Sequence, residues 1–295
     1  RGLPMIWLTG AQGMLGREIA LLFEEAGWEF VGSDRERDIA DGASTAAFLD
    51  EVRPQWIVNA AAYTAVDRAE KEKAEAFNVN DRGPEILAQE AVKRGISLVH
   101  FSTDYVFSGE GTEPYREDDP TGPIQVYGKS KLAGERKVLE SCPHALVLRI
   151  SWLYGLYGQN FVAKILQLAR EKDSLSVVAD QWGSPTWART LAESVVWRIA
   201  VPEGPWGLFH LSDEGAISWH HFAETIVQMA WERGLIDERK PVRPVSTEKY
   251  PTQVRRPRYS VLDKEKAKAA GFPVHPWRTN LGCYLDALKE KEGCR

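Results

Sequence analysis

The sequence predicts an α/β protein built on a doubly wound parallel sheet, with a smaller C-terminal lobe. In the first half of the chain, short β-rich runs alternate with amphipathic helical stretches, as in parallel βαβ units. The first run ends in a glycine-rich turn that leads directly into a helix. After Ser151 the alternation becomes irregular, which indicates a second unit. Together these three observations favour a Rossmann-type sheet.

The elements of the first half follow one another with short connections. We predict strands at residues 5–9, 28–33, 56–59, 98–102 and 145–150. The helices between them are predicted at residues 15–26, 44–52, 74–94 and 126–140. Because connections between parallel strands are right-handed, this order predicts helices on both faces of one sheet.

The second half contains fewer regular repeats. We predict helices at residues 161–170, 187–201, 219–233, 263–270 and 281–291, strands at 175–178 and 208–211, and a proline-rich connector at 241–257. Part of 187–211 is expected to return to the sheet. The predicted domains are therefore residues 1–150, joined by part of 187–211, and residues 151–295, mainly a lobe that covers the sheet's open edge.

Composition and charge exclude several classes of protein. A net charge of −5 without a concentrated basic stripe argues against nucleic-acid binding. No run approaches the roughly 18 apolar residues of a membrane helix. The three cysteines, Cys142, Cys283 and Cys294, lack metal-ligand spacing and are odd in number. We therefore expect free thiols, no metal site and a cytoplasmic location.

The glycine-rich turn predicts dinucleotide binding. Its glycines are Gly10, Gly13 and Gly16, which suit a tight bend, a close approach of a pyrophosphate and close packing of helix on strand. The helix N-terminus adds free N–H groups and a positive dipole end. Asp34 ends the second strand, 18 residues after Gly16 (34 minus 16), where an acidic residue commonly binds the adenosine ribose. Residues 1–150 are thus expected to bind NADH or NADPH.

The sequence leaves the choice between these two cofactors open. Asp34 would repel the 2′-phosphate of NADPH, whereas Arg35 and Arg37 could neutralise it. The alternative for the two arginines is a solvated loop.

Tyr127 and Lys131 predict the chemistry. Their spacing of four places both side chains on one face of a helix. A carbonyl that receives a hydride becomes an alkoxide and needs a proton, which a tyrosine hydroxyl can donate. A neighbouring ammonium is expected to lower the tyrosine pKa. Thr103, at the end of the fourth strand, is a hydrogen-bond donor for the carbonyl, with a capping role as the alternative.

Together these residues resemble the extended short-chain dehydrogenase/reductase family, and within it the dTDP-4-dehydrorhamnose reductase family. The resemblance covers nearly the whole chain. The further stretches that carry it are VNAAAYTAVD (58–67), STDYVFSG (102–109), RISWLYG (149–155) and DQWGSPT (180–186). One departure is Tyr63, which stands where the family's best-known pattern has histidine.

The resemblance implies a role for each matching residue. The implied catalytic residues are Thr103, Tyr127 and Lys131. The implied cofactor-binding residues are Gly10, Gly13, Met14, Leu15, Gly16, Asp34, Asp38, Ile39, Ala62, Tyr63, Thr64, Tyr127 and Lys131. The implied substrate-binding residues are Thr103, Asp104 and Trp152. Arg256 is a further candidate contact to the base or diphosphate, because a guanidinium suits phosphate oxygens geometrically.

The implied activity is that of an oxidoreductase in dTDP-rhamnose biosynthesis, which supplies cell-wall polysaccharide. NADPH or NADH would reduce the 4-keto group of dTDP-4-dehydro-L-rhamnose (dTDP-6-deoxy-L-lyxo-4-hexulose) to give dTDP-L-rhamnose, with Tyr127 as proton donor. Two alternatives stay open: another nucleotide-sugar epimerase or dehydratase, and an NADP-binding regulatory subunit like that of methionine adenosyltransferase. The intact trio counts against the second. A homodimer is compatible with the sequence, which does not fix the oligomeric state.

Overall fold

The computed structural model describes residues 4–250 and 252–293. Its strands are β1 (Ile6–Thr9), β2 (Phe30–Ser33), β3 (Trp56–Asn59), β4 (Ser97–Thr103), β5 (Ala145–Ile150), β6 (Leu153–Tyr154), β7 (Leu175–Val178), β8 (Trp182–Gly183), β9 (Thr186–Trp187), β10 (Gly207–His210), β11 (Ile217–Ser218) and β12 (Val242–Val245). Its α-helices are α1 (Met14–Glu25), α2 (Gly42–Val52), α3 (Val66–Ala69), α4 (Lys73–Phe77), α5 (Gly83–Arg94), α6 (Val126–Ser141), α7 (Phe161–Glu171), α8 (Ala188–Ala200), α9 (Trp219–Glu232), α10 (Glu265–Ala269) and α11 (Trp277–Gly293). A π-helical turn occupies Asn78–Arg82, and 3₁₀ turns occupy Asp104–Val106 and Thr247–Lys249.

The central sheet has six strands in the order β10-β5-β4-β3-β1-β2. All of its strand pairs are parallel. The chain runs outward from β1 to β2 and then crosses to β3 on the other side of β1, which is the topological switch of a doubly wound sheet. This arrangement confirms the predicted fold class. Ligands of such sheets bind at the carboxyl ends of the strands beside this switch, here the edge that contains Thr9 and Asn59.

Both faces of the sheet are buried, which explains why its strands read as almost continuous hydrophobic runs. Successive side chains along a strand point to opposite faces. Thus Leu8 and Val58 pack with α1 and α8 on one face. On the other face, Trp7 and Ile57 pack with residues of α2, α5 and α6.

A third hydrophobic cluster lies away from the sheet. It joins α7, α9 and α11 through buried residues such as Ile165, Phe222 and Tyr284. All of its buried members come from beyond Ser151. Strand β10, by contrast, pairs with β5 at the edge of the central sheet.

The expected continuous helix over 74–94 is wrong. The chain instead forms α4, the π-helical turn Asn78–Arg82 and α5. Pro84 lacks an N–H group and cannot continue the regular ladder across this junction. The π-turn brings Asn80 within hydrogen-bond distance of the loop that contains Tyr63.

The proline-rich connector also contains a strand that was not expected. Strand β12 pairs with β7 in a separate two-stranded parallel sheet. Pro244 is tolerated there because a two-stranded sheet leaves one edge of each strand unpaired. The last helix begins at Trp277 instead of 281, and the helix expected over 263–270 shortens to α10. Across residues 4–250 and 252–293, none of the helices has the length and apolar composition needed to cross a bilayer.

Candidate active site

The glycine-rich turn lies between β1 and α1 and brings three chain segments together. Gly10 adopts φ +65°, and a Cβ added there would lie 2.6 Å from the Ala61 nitrogen. A Cβ on Gly16 would lie 2.1 Å from the Gly10 carbonyl oxygen. Only glycine fits at both positions, so the turn is tight and the first turn of α1 faces the sheet edge with N–H groups that have no helical partner.

Asp34, at the end of β2, lies directly against this turn. Its Oδ2 accepts a hydrogen bond from the Gln12 N–H (3.0 Å), and its Oδ1 accepts from the Arg35 N–H (2.9 Å). The Glu36 carboxylate accepts from the Asp34 N–H (2.7 Å), and this bond lowers the pKa of Glu36. The Arg37 guanidinium lies 3.7 Å from the centre of the Phe48 ring. The carboxylates of Asp34 and Glu36 therefore both lie at the end of β2. Arg37, one of the two arginines expected to neutralise a 2′-phosphate, contacts Phe48 instead.

The remaining predicted cofactor residues divide between surface and core. The side chains of Leu15 and Ile39 are 7% and 4% exposed and belong to the hydrophobic cores on the two faces of the sheet. A ligand could therefore contact little more than the backbone of these two residues. Thr64 is exposed, and Met14 and Ala62 are half-buried. Asp38 caps its own turn, accepting from the Ala40 N–H (2.9 Å).

Asn80, a residue that sequence reasoning missed, joins the loop at Tyr63 to helix α6. The Asn80 side chain accepts from the Tyr63 N–H (2.9 Å) and donates to the Tyr63 carbonyl (3.0 Å) and the Ser130 hydroxyl (3.1 Å). The Tyr63 hydroxyl donates to Glu72 (2.5 Å), which raises the Tyr63 pKa. The polar end of Tyr63 is thus satisfied within the protein. No local pattern marks Asn80, because its role depends on the π-turn.

Thr103 and Tyr127 meet at the carboxyl edge of β4. The Thr103 hydroxyl donates to the Asp104 carboxylate (3.0 Å) and accepts from the Tyr105 N–H (3.2 Å), so the capping alternative also holds. A hydrogen bond joins the Thr103 side chain to the Tyr127 phenol. Helix α6 approaches the backbone of Tyr105 so closely at Gly128 that a Cβ there would lie 2.2 Å from the Tyr105 carbonyl oxygen. Tyr127 therefore sits in the first turn of α6, above the strand end.

Lys131 lies one turn further along α6 and is almost fully buried, at 3% exposure. Its ammonium donates to the Phe101 carbonyl (2.5 Å) in β4. Burial lowers the Lys131 pKa to about 8, against the opposing attraction of Glu135. Burial raises the Tyr127 pKa to about 12, although the bond to Thr103 acts in the other direction. The expected lowering of the Tyr127 pKa by Lys131 is therefore wrong for this structure, because desolvation outweighs the lowering contact with Thr103 and the Lys131 ammonium is directed to a carbonyl.

The C-terminal half contributes a second hydroxyl to the same cluster. Ser260 hydrogen-bonds to Asp104, a carboxyl that is 4% exposed. Burial raises the Asp104 pKa to about 6, while Ser260 and Thr103 oppose this shift. Ser260 reaches the site because its backbone N–H donates to the Trp182 carbonyl (2.8 Å).

Comparison with known proteins decides the family. A family profile described as the RmlD substrate binding domain matches residues 4–290. The dTDP-4-dehydrorhamnose reductase of Streptomyces griseus is 43% identical over 97% of this chain and 95% of its own. The chain belongs to the dTDP-4-dehydrorhamnose reductase family. The resemblance stated from the sequence is thereby confirmed.

Solved structures of dTDP-4-dehydrorhamnose reductases agree. That of Clostridium acetobutylicum has a TM-score of 0.90 and 37% identity, covering 97% of this chain and 99% of its own. That of Bacillus anthracis, solved in complex with NADP, has a TM-score of 0.90 and 35% identity, covering 97% and 100%. A spore coat polysaccharide biosynthesis protein of Bacillus subtilis, SpsK, is 40% identical over 95% of this chain and 96% of its own.

In this member of the family, Trp152 is held in a strained backbone conformation just after β5. Its backbone adopts φ +45°, and its ring stacks on Trp219 with centroids 3.4 Å apart and planes 6° apart. A Cβ on Gly183 would lie 2.3 Å from the Trp152 ring. Such strain persists only where the surroundings fix it, and here a stacked ring and a glycine do so.

Arg256 reaches across to the N-terminal half. Its Nη2 donates to Asp67 (2.7 Å), whereas its Nη1 is buried without a hydrogen-bond partner among the described residues. Within residues 4–250 and 252–293, no group of three or more His, Cys, Asp or Glu side chains is placed to hold a metal ion. Cys142 and Cys283 are free thiols, and Cys294 lies outside the described residues.

Proposed function

We propose that this protein reduces the 4-keto group of dTDP-4-dehydro-L-rhamnose to dTDP-L-rhamnose with NADH or NADPH. The observation that carries the proposal is the meeting of Thr103, Tyr127 and Lys131 at the carboxyl edge of the sheet, next to the glycine-rich turn. The named relatives and the NADP complex of the Bacillus anthracis protein support it.

The turn fits a dinucleotide. Gly10 and Gly16 leave room at the turn that a Cβ would fill, and the first N–H groups of α1 are free to bind the pyrophosphate. Asp34 would accept from the adenosine ribose hydroxyls. Met14, Leu15, Asp38, Ile39 and the loop at 62–64 would line the rest of the cofactor site. When bound, the reduced nicotinamide supplies the hydride for the keto carbon.

The proton comes from Tyr127. With a pKa of about 12 the phenol keeps its proton at neutral pH, so it can donate to the oxygen that becomes an alkoxide. The Thr103 hydroxyl contacts the phenol and, by turning its one proton away from Asp104, would donate to the same oxygen. Lys131 holds a positive charge beneath them and would bind the nicotinamide ribose hydroxyls. The phenolate that remains after each proton transfer takes up a new proton from solvent, which restores the phenol for the next turnover.

The C-terminal half, residues 151–295, forms most of the substrate-binding lobe, while β10 belongs with residues 1–150 in the dinucleotide-binding domain. Trp152 and Asp104 would contact the sugar. The buried Nη1 of Arg256 is suited to a diphosphate oxygen, which would satisfy its missing hydrogen bond.

This activity places the protein in dTDP-rhamnose biosynthesis for cell-wall polysaccharide. The free thiols of Cys142 and Cys283 support a reducing, cytoplasmic location. A homodimer is compatible with it.

The test mixes the purified protein with NADH or NADPH and a panel of nucleotide 4-keto sugars. Stoichiometric loss of absorbance at the reduced-nicotinamide band, with dTDP-L-rhamnose as product, is the expected result. Product without net oxidation of the cofactor would instead identify an epimerase or dehydratase, which returns the hydride within one turnover. Cofactor binding without turnover of any sugar in the panel would favour a regulatory subunit.

A further inference from the structure

Lys131 contacts β4 between two buried polar side chains. His100 and Ser102 point to the face of β4 that packs on α6, because Leu98 on that face belongs to the α6-side core and Val99 to the other. The Lys131 ammonium donates to the carbonyl of Phe101, which lies between them.

Glu135 lies one helical turn beyond Lys131, on the same face of α6. It is 1% exposed. Its Oε2 accepts from the Ser102 hydroxyl (2.6 Å) and from Arg149 Nε (3.0 Å), and its Oε1 accepts from Arg149 Nη2 (2.5 Å). This bidentate pairing with Arg149 fixes the orientation of the Glu135 carboxylate as well as its position.

Arg149 is itself anchored from the far edge of the sheet. Its Nη1 donates to His210 Nε2 (3.2 Å), so that nitrogen accepts and His210 Nδ1 donates to the Tyr115 carbonyl (3.0 Å). Burial and the Arg149 charge lower the His210 pKa to about 3, which keeps the imidazole neutral. Residues on β4, β5 and β10 thus hold the Glu135 carboxylate in a fixed position between α6 and the sheet.

Among the residues that the structure describes, Glu135 is the anion whose charge acts on Lys131. His100, from β4, accepts at Nδ1 from the Asn59 amide (3.0 Å), and its burial and Lys131 hold its pKa well below the usual range. Asp81, from the π-turn, pairs with Lys137 (2.9 Å). On the 3₁₀ turn, Asp104 is engaged by Thr103 and Ser260.

We propose that Glu135 is a positioning residue for the reductase reaction, whose anchored carboxylate keeps the buried Lys131 ammonium charged and in place. The inference rests on the proposed function, in which Lys131 serves as a cation. A buried ammonium bonded only to a carbonyl faces a desolvation cost that a carboxylate one turn away offsets. Helix α6 therefore carries both the cation and its counter-charge.

The experiment measures the Lys131 pKa directly by a ¹³C NMR titration of the lysine Cε, assigned with Lys131→Met in the full chain. It needs no substrate, so its outcome is separate from that of the reductase assay. In the wild type we expect a pKa of about 8. In Glu135→Gln, which keeps the side-chain shape, we expect it to fall by about 1 pH unit. The same change should move the matching limb of the kcat–pH profile to lower pH.

Two further variants make the test specific. Ser102→Ala removes one partner of Glu135 but keeps its charge, so the Lys131 titration should stay at its wild-type position. The double variant Glu135→Gln with Arg149→Met removes both charges of the buried pair, a change that folded proteins often tolerate. This double variant should also lower the Lys131 pKa, and it replaces Glu135→Gln in the test if that single variant does not fold.

An unchanged Lys131 pKa in a folded variant lacking the Glu135 carboxylate would overturn the proposal. A shift in Ser102→Ala equal to that in Glu135→Gln would overturn it as well, since a purely structural role moves both.

Discussion

Gly134, in the middle of α6, lies directly on the backbone of Asn80 in the π-turn. A Cβ built on Gly134 would lie 2.0 Å from the Asn80 carbonyl oxygen. This close approach brings the Asn80 amide within hydrogen-bond distance of Ser130 and Tyr63. The close approach at Gly134 therefore joins the π-turn, the loop at 62–64 and helix α6 to one another.

Gly134→Ala is expected to destabilise the protein by about 1–3 kcal/mol, because backbone on both sides must move apart. Thermal or urea unfolding measures this. Gly42→Ala is the matched control, since a Cβ there meets only Ile86 at an ordinary 3.8 Å and alanine favours the helix. Equal stability of the two variants would show that the α6 contact is loose.

Asp34 and Glu36 place two carboxylates where a 2′-phosphate would lie, and they are expected to favour NADH. Asp34→Ala should raise the kcat/KM ratio of NADPH to NADH by about ten-fold, since like charges at close range cost several kcal/mol. Steady-state assays with both cofactors measure the ratio. Glu51→Gln, on the exposed face of α2, is a charge-matched control and should leave it unchanged. An unaltered ratio in Asp34→Ala would mean that Arg35 already neutralises the site.

Asp104 should make the protein less stable as the pH rises. Its pKa is raised by burial from 3.8 to about 6, so the unfolded chain loses this proton first. The stability that the protonated carboxyl contributes is complete below about pH 4 and is lost as the pH rises through about 6. Asp104→Asn should therefore be more stable than wild type by about 1–3 kcal/mol at pH 8, with the gain shrinking towards pH 4. Denaturant melts across this range measure it, and a gain that does not depend on pH would contradict the assignment.

Trp219 is expected to act on the substrate through Trp152. Trp219→Ala removes the stacked ring and should lower kcat/KM for the keto sugar by up to about 100-fold, because small misplacements of a binding group are costly. The Kd for NADH should stay the same. Trp231→Ala, at a tryptophan that is 47% exposed, is the control. A loss of NADH affinity in Trp219→Ala would indicate general damage to the fold.

The sheet and the glycine-rich turn could be predicted because their signals are local. Parallel strands buried on both faces give continuous apolar runs. The spacing of Gly10 and Gly16 indicates a tight turn, at which a Cβ would clash with backbone atoms. The positions of Thr103, Tyr127 and Lys131 followed from the same order of elements, together with the family resemblance.

What could not be predicted depends on contacts between distant segments. Pro84 marks a break in the helix, but the packing of Asn80 on Gly134 that accompanies the π-turn joins distant segments, and β12 is a strand only because it pairs with β7. The direction of the Tyr127 pKa shift depends on how deeply the phenol is desolvated, which the spacing from Lys131 does not reveal. Ser260 and Glu135 likewise act through partners far away in the chain.

The most direct test of the account is the reduction rate of Tyr127→Phe, which removes one oxygen and leaves the ring. We expect kcat for the keto sugar to fall by about 10²–10⁴-fold, the usual contribution of a positioned proton donor, while the Kd for NADH stays near its wild-type value. Reduction by Tyr127→Phe at close to the wild-type rate would show that another group supplies the proton.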